Sequence, residues 1–139
     1  MIRPVNRFRR MAPLVLRSQQ VLTVSISTEV HQDGAVSVLS VEGKLVLGAP
    51  SNAFRSMVED LLKAGNQRIV VNFRGVPYAD SAGIGALAYN FSNTKAAGGR
   101  LALAEVQPAV LDVMDVTRLS DLIPMFETEK EAVKSLGAN

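Results

Sequence analysis

Alternating apolar and polar residues predict two strands near the start of the chain. The segment VLTVSIST, residues 21–28, alternates apolar and hydroxyl side chains, and this period of two is typical of a strand with one solvated face. After a turn at Asp33-Gly34, the segment AVSVLSVEG, residues 35–43, predicts a second strand. Two such strands joined by a short glycine-containing turn predict a β-hairpin.

Apolar residues at helical spacing predict two helices after the hairpin. The first opens at Pro50 and Ser51 and stops at Gly65, since proline suits the first helical turn and glycine favours a helix end. Its apolar face consists of Phe54, Met57, Val58, Leu61 and Leu62. The second covers residues 82–97 and stops before Gly98. Its apolar face consists of Ile84, Leu87, Ala88 and Phe91.

Short apolar runs predict three more strands. The run RIVVNF, residues 68–73, is typical of a strand that is covered on both faces. The run RLALAEV, residues 100–106, predicts a fourth strand, and a short fifth strand is predicted near residues 124–126.

Two further helices are predicted in the last third of the chain. Proline at the start favours a short helix over residues 108–116. Thr128 and Glu131 form a T-x-x-E capping box for a helix that stops at Gly137. The apolar residues of this helix are Ala132, Val133 and Leu136.

The predicted order is β-β-α-β-α-β-α-β-α, which indicates the α/β class. An N-terminal hairpin followed by right-handed β-α-β crossovers requires a mixed sheet, with about four helices packed on it. We therefore expect one domain over residues 21–139, preceded by an extension of residues 1–20.

The extension carries the net positive charge of the chain. Residues 1–20 contain no acid and five arginines: Arg3, Arg7, Arg9, Arg10 and Arg17. Residues 21–139 hold ten of the fifteen basic side chains and all thirteen acids, for a formal net charge of −3. A nucleic-acid-binding domain is therefore not expected. The extension is open to three interpretations: a targeting segment, an arm for an acidic surface, or a loosely ordered tail, which we favour.

Composition excludes several other classes of site. The chain has no cysteine, so it has neither disulfides nor thiolate metal sites, and its acids lack the spacing of metal ligands. No segment has the roughly 18 consecutive apolar residues that a membrane-spanning helix needs. We expect a soluble protein without a metal or cofactor.

The stretch PYADSAGIGALA, residues 77–88, fits part of a dinucleotide-binding loop. Gly83 and Gly85 begin a G-x-G-x-x-A pattern, and Glu105 follows at the distance of a ribose-binding acid. However, residues 74–82 separate this pattern from the preceding strand, and the chain after Glu105 is too short for the rest of such a domain. The dinucleotide interpretation is weak.

The same stretch fits a serine hydrolase even less well. Residues 79–83 resemble the G-x-S-x-G elbow, but a serine nucleophile needs a base to accept its proton. The only histidine, His31, lies upstream in the predicted hairpin turn. We therefore expect no catalytic residue and no enzymatic activity.

Helix capping is the simplest explanation of the polar pair in this stretch. Asp80 or Ser81 is a good N-cap for the helix that follows. An exposed hydroxyl at a helix N-terminus is also a place where backbone N–H groups stabilise the negative charge of a phosphate. Capping and phosphorylation are compatible, so both interpretations stay open.

The motif D-S-x-G-x-G after the third strand, together with the order of strands and helices, resembles a STAS domain. The chain is most similar to the bacterial anti-sigma factor antagonists, or anti-anti-sigma factors, within this family. The resemblance covers about residues 21–136. The segments that carry it are VEGKL (41–45), VVNFRGVPYADSAGIGALA (70–88), GGRLALAEV (98–106) and VMDVTRLSDLIPMFETEKEAV (113–133).

The resemblance implies a cytoplasmic partner-switching protein. Such a protein binds an anti-sigma factor that is also a serine kinase, and the kinase phosphorylates the serine of D-S-x-G, here Ser81. A PP2C-type phosphatase reverses the modification, and a weak homodimer is left open. The partner-binding residues implied by the resemblance are Lys44, Val46, Tyr78, Asp80, Ser81, Ala82, Gly83, Ile84 and Gly85.

One segment departs from the family pattern. The family often has G-E-L-D where this chain has Gly43-Lys44-Leu45-Val46, so a lysine and a valine replace two acids. Some STAS domains act as scaffolds in larger signalling assemblies, and a non-phosphorylated scaffold is the alternative function.

Overall fold

The computed structural model describes residues 26–137, so the predictions for residues 1–20 and for the start of the first strand lie outside the described residues. Strand β1 is Ile26–Asp33 and strand β2 is Val36–Gly43, paired antiparallel. β1 runs five residues past the predicted end of its strand, because its pairing with β2 continues to the turn.

Three further strands complete the sheet: β3 at Arg68–Gly75, β4 at Arg100–Ala104 and β5 at Met125–Phe126. The strand order is β1-β2-β3-β4-β5, and every pair after the hairpin is parallel. The predicted mixed sheet is therefore confirmed. β4 is shorter than the predicted 100–106, since Glu105 leaves the strand with a positive φ of 57°.

Four helices connect or follow these strands, as predicted. They are α1 at Ala49–Lys63, α2 at Ser81–Ala96, α3 at Pro108–Val116 and α4 at Glu129–Gly137. A short 3₁₀ turn at Leu119–Asp121 was not predicted.

Helices α1, α2 and α3 cover one face of the sheet. The odd-numbered residues of β3 point into this larger core, which holds Ile69, Val71 and Phe73. The rings of Phe73 and Phe54 on α1 lie 5.8 Å apart between centroids, within the range of favourable aromatic packing.

Helix α4 covers the opposite face of the sheet. The alternate residues of the strands meet Ala132 and Leu136 of α4 in a second, smaller core, which includes Val38, Val70 and Ala102. β3 is thus buried on both faces, which confirms the prediction made from its apolar run.

The carboxyl ends of β2 and β3 lie side by side, because the two strands are parallel neighbours. We call this end of the strands the carboxyl edge. Helices α1 and α2 begin there, because each follows one of these strands. β1 also begins there, since it runs antiparallel and Ile26 pairs with Gly43 at the end of β2.

Candidate functional site

Two loops lie side by side at the carboxyl edge: residues 44–48 before α1 and residues 76–80 before α2. A parallel bridge pairs Leu45 with Ala79 beyond the end of the sheet. The N–H of Leu45 donates to the carbonyl of Tyr78 at 2.9 Å, and the N–H of Asp80 donates to the carbonyl of Leu45 at 3.2 Å. The bridge joins the starting points of the two helices into one surface.

Asp80 caps α2, so the structure resolves which residue of the polar pair is the N-cap. One carboxylate oxygen accepts from the N–H of Gly83 at 2.8 Å, and the other accepts from the N–H of Leu47 at 3.1 Å. The helix consequently begins at Ser81, one residue before the predicted start. Asp80 both caps its own helix and holds the neighbouring loop.

These hydrogen bonds keep Asp80 ionised. Desolvation pushes the pKa of its carboxyl group upward. The backbone N–H groups of Gly83, Leu47 and Ala82 together outweigh desolvation, and the pKa lies below its ordinary value. The carboxylate is therefore engaged within the fold as an anion.

Ser81 is the exposed first residue of α2. Because Asp80 makes the capping bonds, the hydroxyl of Ser81 is not needed to begin the helix. The first turn of a helix carries backbone N–H groups and the positive end of the helix dipole, which stabilise added negative charge.

Gly83 is required for the two loops to approach each other. A Cβ atom at this position would lie 2.0 Å from the carbonyl oxygen of Leu45, closer than atoms can approach. Gly83 and Ile84 are both buried, so the structure places two of the family-implied contact residues beneath the surface. Gly83 therefore permits a close contact with Leu45 within the same chain, between the start of α2 and the loop before α1.

Gly85 differs from Gly83. It is exposed, and a Cβ atom there would meet no heavy atom within 4 Å. It leaves an open surface one helical turn beyond Ser81.

The other implied contact residues lie on or near this surface. Lys44 and Tyr78 are exposed, whereas Val46 and Ala82 are half-buried. The carbonyl of Val46 accepts two hydrogen bonds from Ser51, one from its hydroxyl at 2.7 Å and one from its backbone N–H at 3.2 Å. These two bonds fix the start of α1.

Leu47 is a surface residue that the sequence interpretation missed. Its side chain is 75% exposed, although leucine is usually buried. The sequence did contain a sign of this exposure. Leu47 lies between a strand and the Gly-Ala-Pro start of a helix, so it belongs to neither the strand's nor the helix's pattern of apolar residues. We define the contact face as the exposed residues Lys44, Leu47, Tyr78, Ser81 and Gly85.

Tyr89, two turns after Ser81 on α2, was also missed. Its hydroxyl donates to Glu59 of α1 at 2.8 Å, and the guanidinium of Arg55 lies 5.2 Å from the ring centroid. The hydrogen bond to Glu59 raises the pKa of Tyr89. These contacts join the exposed sides of α1 and α2 beside the contact face.

The single histidine lies away from Ser81. His31 is in β1, which corrects its predicted position in the hairpin turn. Its Nε2 atom lies 3.5 Å from Glu129 at the start of α4, whereas Ser81 begins a helix on the opposite face of the sheet. The sheet therefore separates the histidine from the serine, and the two do not form a nucleophile–base pair.

A polar cavity of about 440 Å³ lies on the α4 side of the carboxyl edge. The amide of Asn72 donates to Glu129 there at 2.7 Å, and Glu42 and Arg74 also line the cavity. Within residues 26–137, no group of histidine and acidic side chains is placed to hold a metal ion. In the same range, none of the helices combines the length and apolar character needed to cross a bilayer.

Comparison with known proteins identifies the fold that carries this site. The family model described as "STAS domain" matches residues 27–132, which include strands β2 to β5, all of β1 but its first residue, and the loops of the contact face. The chain belongs to the STAS domain family. The STAS match also covers the D-S-x-G-x-G segment on which the sequence resemblance rests.

This STAS domain is similar to proteins named anti-sigma factor antagonists. It is 21% identical over 113 residues to the anti-sigma F factor antagonist of Paenibacillus polymyxa, which covers 81% of this chain and 97% of that protein. A solved anti-sigma factor antagonist from Mycobacterium paratuberculosis is 22% identical with a TM-score of 0.71, covering 82% of this chain and 96% of that one.

A third similar protein is the Bacillus cell fate determinant SpoIIAA, whose structure has been solved in a phosphorylated form. It is 22% identical with a TM-score of 0.61, and the match covers 78% of this chain and 97% of that one. These structural similarities establish the mixed sheet and four helices as a STAS fold.

Proposed function

We propose that this protein is an anti-sigma factor antagonist in the cytoplasm that binds an anti-sigma factor with serine kinase activity. Phosphorylation of Ser81 by that kinase releases the complex, and a PP2C-type phosphatase restores binding. The supporting observation is the exposed hydroxyl of Ser81 at the start of α2, beside an aspartate that already caps the helix.

The position of Ser81 suits a reversible modification. The kinase transfers the γ-phosphoryl group of ATP to the serine oxygen, so a new P–O bond forms while the bond to ADP breaks and the hydroxyl proton is lost. The product sits at a helix N-terminus, where negative charge is stabilised. The capping bonds of Asp80 remain in place, so the fold accommodates the phosphate.

The contact face suits a partner that binds only the unmodified protein. Leu47 and Tyr78 expose apolar surface, and aromatic residues often contribute strongly to interfaces. The charged side chains in residues 44–48 and 76–81 are Lys44 and Asp80, and their opposite charges give these two segments a net charge of zero. A phosphate adds about −1.5 to −2 charges at this neutral surface, and burying it against a partner carries a large desolvation cost.

Phosphate mapping tests this function directly. The full chain is incubated with its cognate anti-sigma factor kinase and ATP, and the phosphate is located by mass spectrometry. We expect modification at Ser81 and none in a Ser81→Ala variant. Ser51 is the matched internal control, because it lies at the start of α1 but is buried. Phosphate found only elsewhere, or none with an active kinase, would contradict the proposal.

A further inference from the structure

The polar cavity on the α4 side of the carboxyl edge forms around an irregularity in the sheet. Ser40 of β2 pairs with Asn72 of β3, but Glu42, two residues further on, pairs with Gly75, three residues further on. β3 therefore has one extra residue in a bulge. Bulges often lie beside functional sites, because they redirect side chains. The volume of about 440 Å³ is within the usual range for sites that bind small ligands.

Asn72 holds the inner part of this cavity in a fixed arrangement. It is only 8% exposed, and its amide oxygen accepts from the backbone N–H of Arg74 at 2.8 Å, which holds the bulge. Its amide nitrogen donates to the carboxylate of Glu129 at 2.7 Å. The backbone N–H of Glu129 in turn donates to Glu105 at 3.0 Å. Because the buried amide is bonded at both ends, the cavity is organised before any ligand arrives.

Two opposite charges line the cavity without pairing. Glu42 and Arg74 are both exposed, and neither forms an ion pair with the other or with any other side chain of residues 26–137. Each is nevertheless positioned. Glu42 lies against Gly75, where a Cβ atom would be 2.6 Å from the Cγ atom of Glu42. The carbonyl of Arg74 accepts from the side-chain amide of Gln107. A ligand that carries charges of both signs can bind these two groups at once.

The charges of the lining indicate the class of ligand. Glu42, Arg74 and Glu129 give the cavity a formal net charge of −1, so a ligand of charge +1 complements it. A basic α-amino acid carries two cationic groups and one carboxylate, which is the same set of charges with the signs reversed. Asn72, which holds Glu129, is two residues from Arg74 along β3, so the ligand must span about 7 Å, which arginine can do.

We propose that this cavity binds a free basic α-amino acid such as arginine. The carboxylate of the ligand binds Arg74, its ammonium group binds Glu42, and its guanidinium group binds Glu129. The cavity lies on the α4 face of the sheet, whereas Ser81 begins a helix on the other face. The site is therefore separate from the contact face, and it does not depend on the proposed function.

The test is a titration of the ¹⁵N-labelled full chain, followed by two-dimensional NMR, with L-arginine and with agmatine, which is arginine without its carboxylate. We expect L-arginine to shift the amide signals of Ser40, Asn72 and Glu129, with a dissociation constant of about 1 mM. Agmatine should bind about tenfold more weakly, since it has no group that can bind Arg74.

Two substitutions distinguish the ends of the ligand. Arg74→Gln should weaken the binding of L-arginine about tenfold and should not weaken the binding of agmatine. Glu42→Gln should weaken both ligands, because both carry the cationic groups. Both side chains are exposed, so the variants should fold as the wild type does. Arg100→Gln is the matched control, because Arg100 is exposed at the start of β4, at the end of the strands opposite the cavity.

Three results would overturn the proposal. Equal affinity of the wild-type chain for L-arginine and agmatine would show that Arg74 does not bind a carboxylate. Shifts confined to residues 44–48 and 81–85 would place the ligand on the contact face instead. The absence of shifts at about 10 mM L-arginine would show that the cavity does not bind this class of ligand. None of these results involves a kinase or an anti-sigma factor, so failure here is distinct from failure of the proposed function.

Discussion

Asp80 and Ser81 are adjacent in the chain but have different roles in the structure. Asp80 uses both carboxylate oxygens to hold the first turn of α2 and the N–H of Leu47. Ser81 has an exposed side chain that the helix start does not require. The acid therefore builds the surface, and the hydroxyl is left available on it.

Replacing Asp80 by asparagine tests the structural role of the acid. Because the folded-state pKa is lowered, Asp80 stabilises the fold above its unfolded-state pKa of about 3.9, and this contribution is lost as the pH falls through the folded-state pKa. We expect Asp80→Asn to lower the free energy of unfolding by about 0.3–1 kcal/mol near neutral pH, because the amide can still cap the helix but lacks the negative charge that the helix dipole stabilises. The difference from wild type should shrink at about pH 3.

Urea denaturation at several pH values measures this difference. Asp60→Asn is the control, because Asp60 is exposed on α1 and takes part in the helix cap through its backbone carbonyl, which the substitution leaves unchanged. A destabilisation by Asp80→Asn that is as large in acid as at neutral pH would show that charge is not its cause.

The two glycines of the motif give opposite predictions. Gly83→Ala places a methyl group against the carbonyl of Leu45, so α2 and the loop before α1 must separate. We expect a loss of about 1–3 kcal/mol or more in the free energy of unfolding. Gly85→Ala fills open space on a helix and should stabilise the protein by about 0.5–1 kcal/mol.

Denaturation midpoints of the two variants check this pair. Both changes add one methyl group to the same helix, so each serves as a control for the other. Equal stability of the two variants would be incompatible with the close contact at Leu45.

At the scale of elements, the Leu45–Ala79 bridge makes the contact face from two separate chain segments. It exposes Leu47 on one loop beside Tyr78 on the other. We expect Leu47→Ser to weaken binding of the anti-sigma factor by about tenfold without loss of stability, since the side chain is solvated in the free protein.

Titration calorimetry and thermal denaturation measure these two quantities. Val116→Ser is the matched control, because Val116 is 83% exposed at the end of α3, away from the carboxyl edge. Equal weakening by both substitutions would show that the contact face is not the binding surface.

The elements with clear hydrophobic periodicity could be predicted from the sequence. The second half of β1 could not, because it is an edge strand whose outward residues Glu29, His31 and Asp33 are exposed and polar, as in a turn. Only the pairing with β2 shows that these residues are in a strand. The 3₁₀ turn at Leu119–Asp121 has only three residues, which is too short for a pattern of apolar and polar positions to predict it.

The candidate site was predictable in its location but not in its construction. The D-S-x-G-x-G motif indicated the start of α2. However, the burial of Gly83 depends on Leu45, which is 38 positions earlier in the chain. Sequence spacing carries no information about such a contact, and the same holds for the exposure of Leu47.

At the scale of the whole molecule, the sheet is packed on both faces while the contact face lies at its edge. Close-packed cores resist local change, so modification of Ser81 should alter the surface and leave the fold intact. We expect Ser81→Ala to fold normally and bind the anti-sigma factor constitutively. Ser81→Asp should fold normally but bind more weakly, because it places a negative charge on the interface.

Calorimetric titration of both variants, with circular dichroism to check folding, measures this prediction. Comparable binding by the two would favour the alternative of a non-phosphorylated STAS scaffold. That alternative is consistent with Lys44 and Val46, which stand where the family often has acids.

The direction of α4 has a practical consequence for studying the protein in cells. Gly137 at its end lies beside Val36 at the start of β2, on the edge of the sheet opposite Ser81, whereas Ile26 lies on the same edge as Ser81. A fluorescent reporter or affinity tag joined after residue 139 would therefore stay clear of an incoming partner. A tag joined directly before Ile26 would lie beside the contact face, so two-hybrid and pull-down screens should use C-terminal fusions.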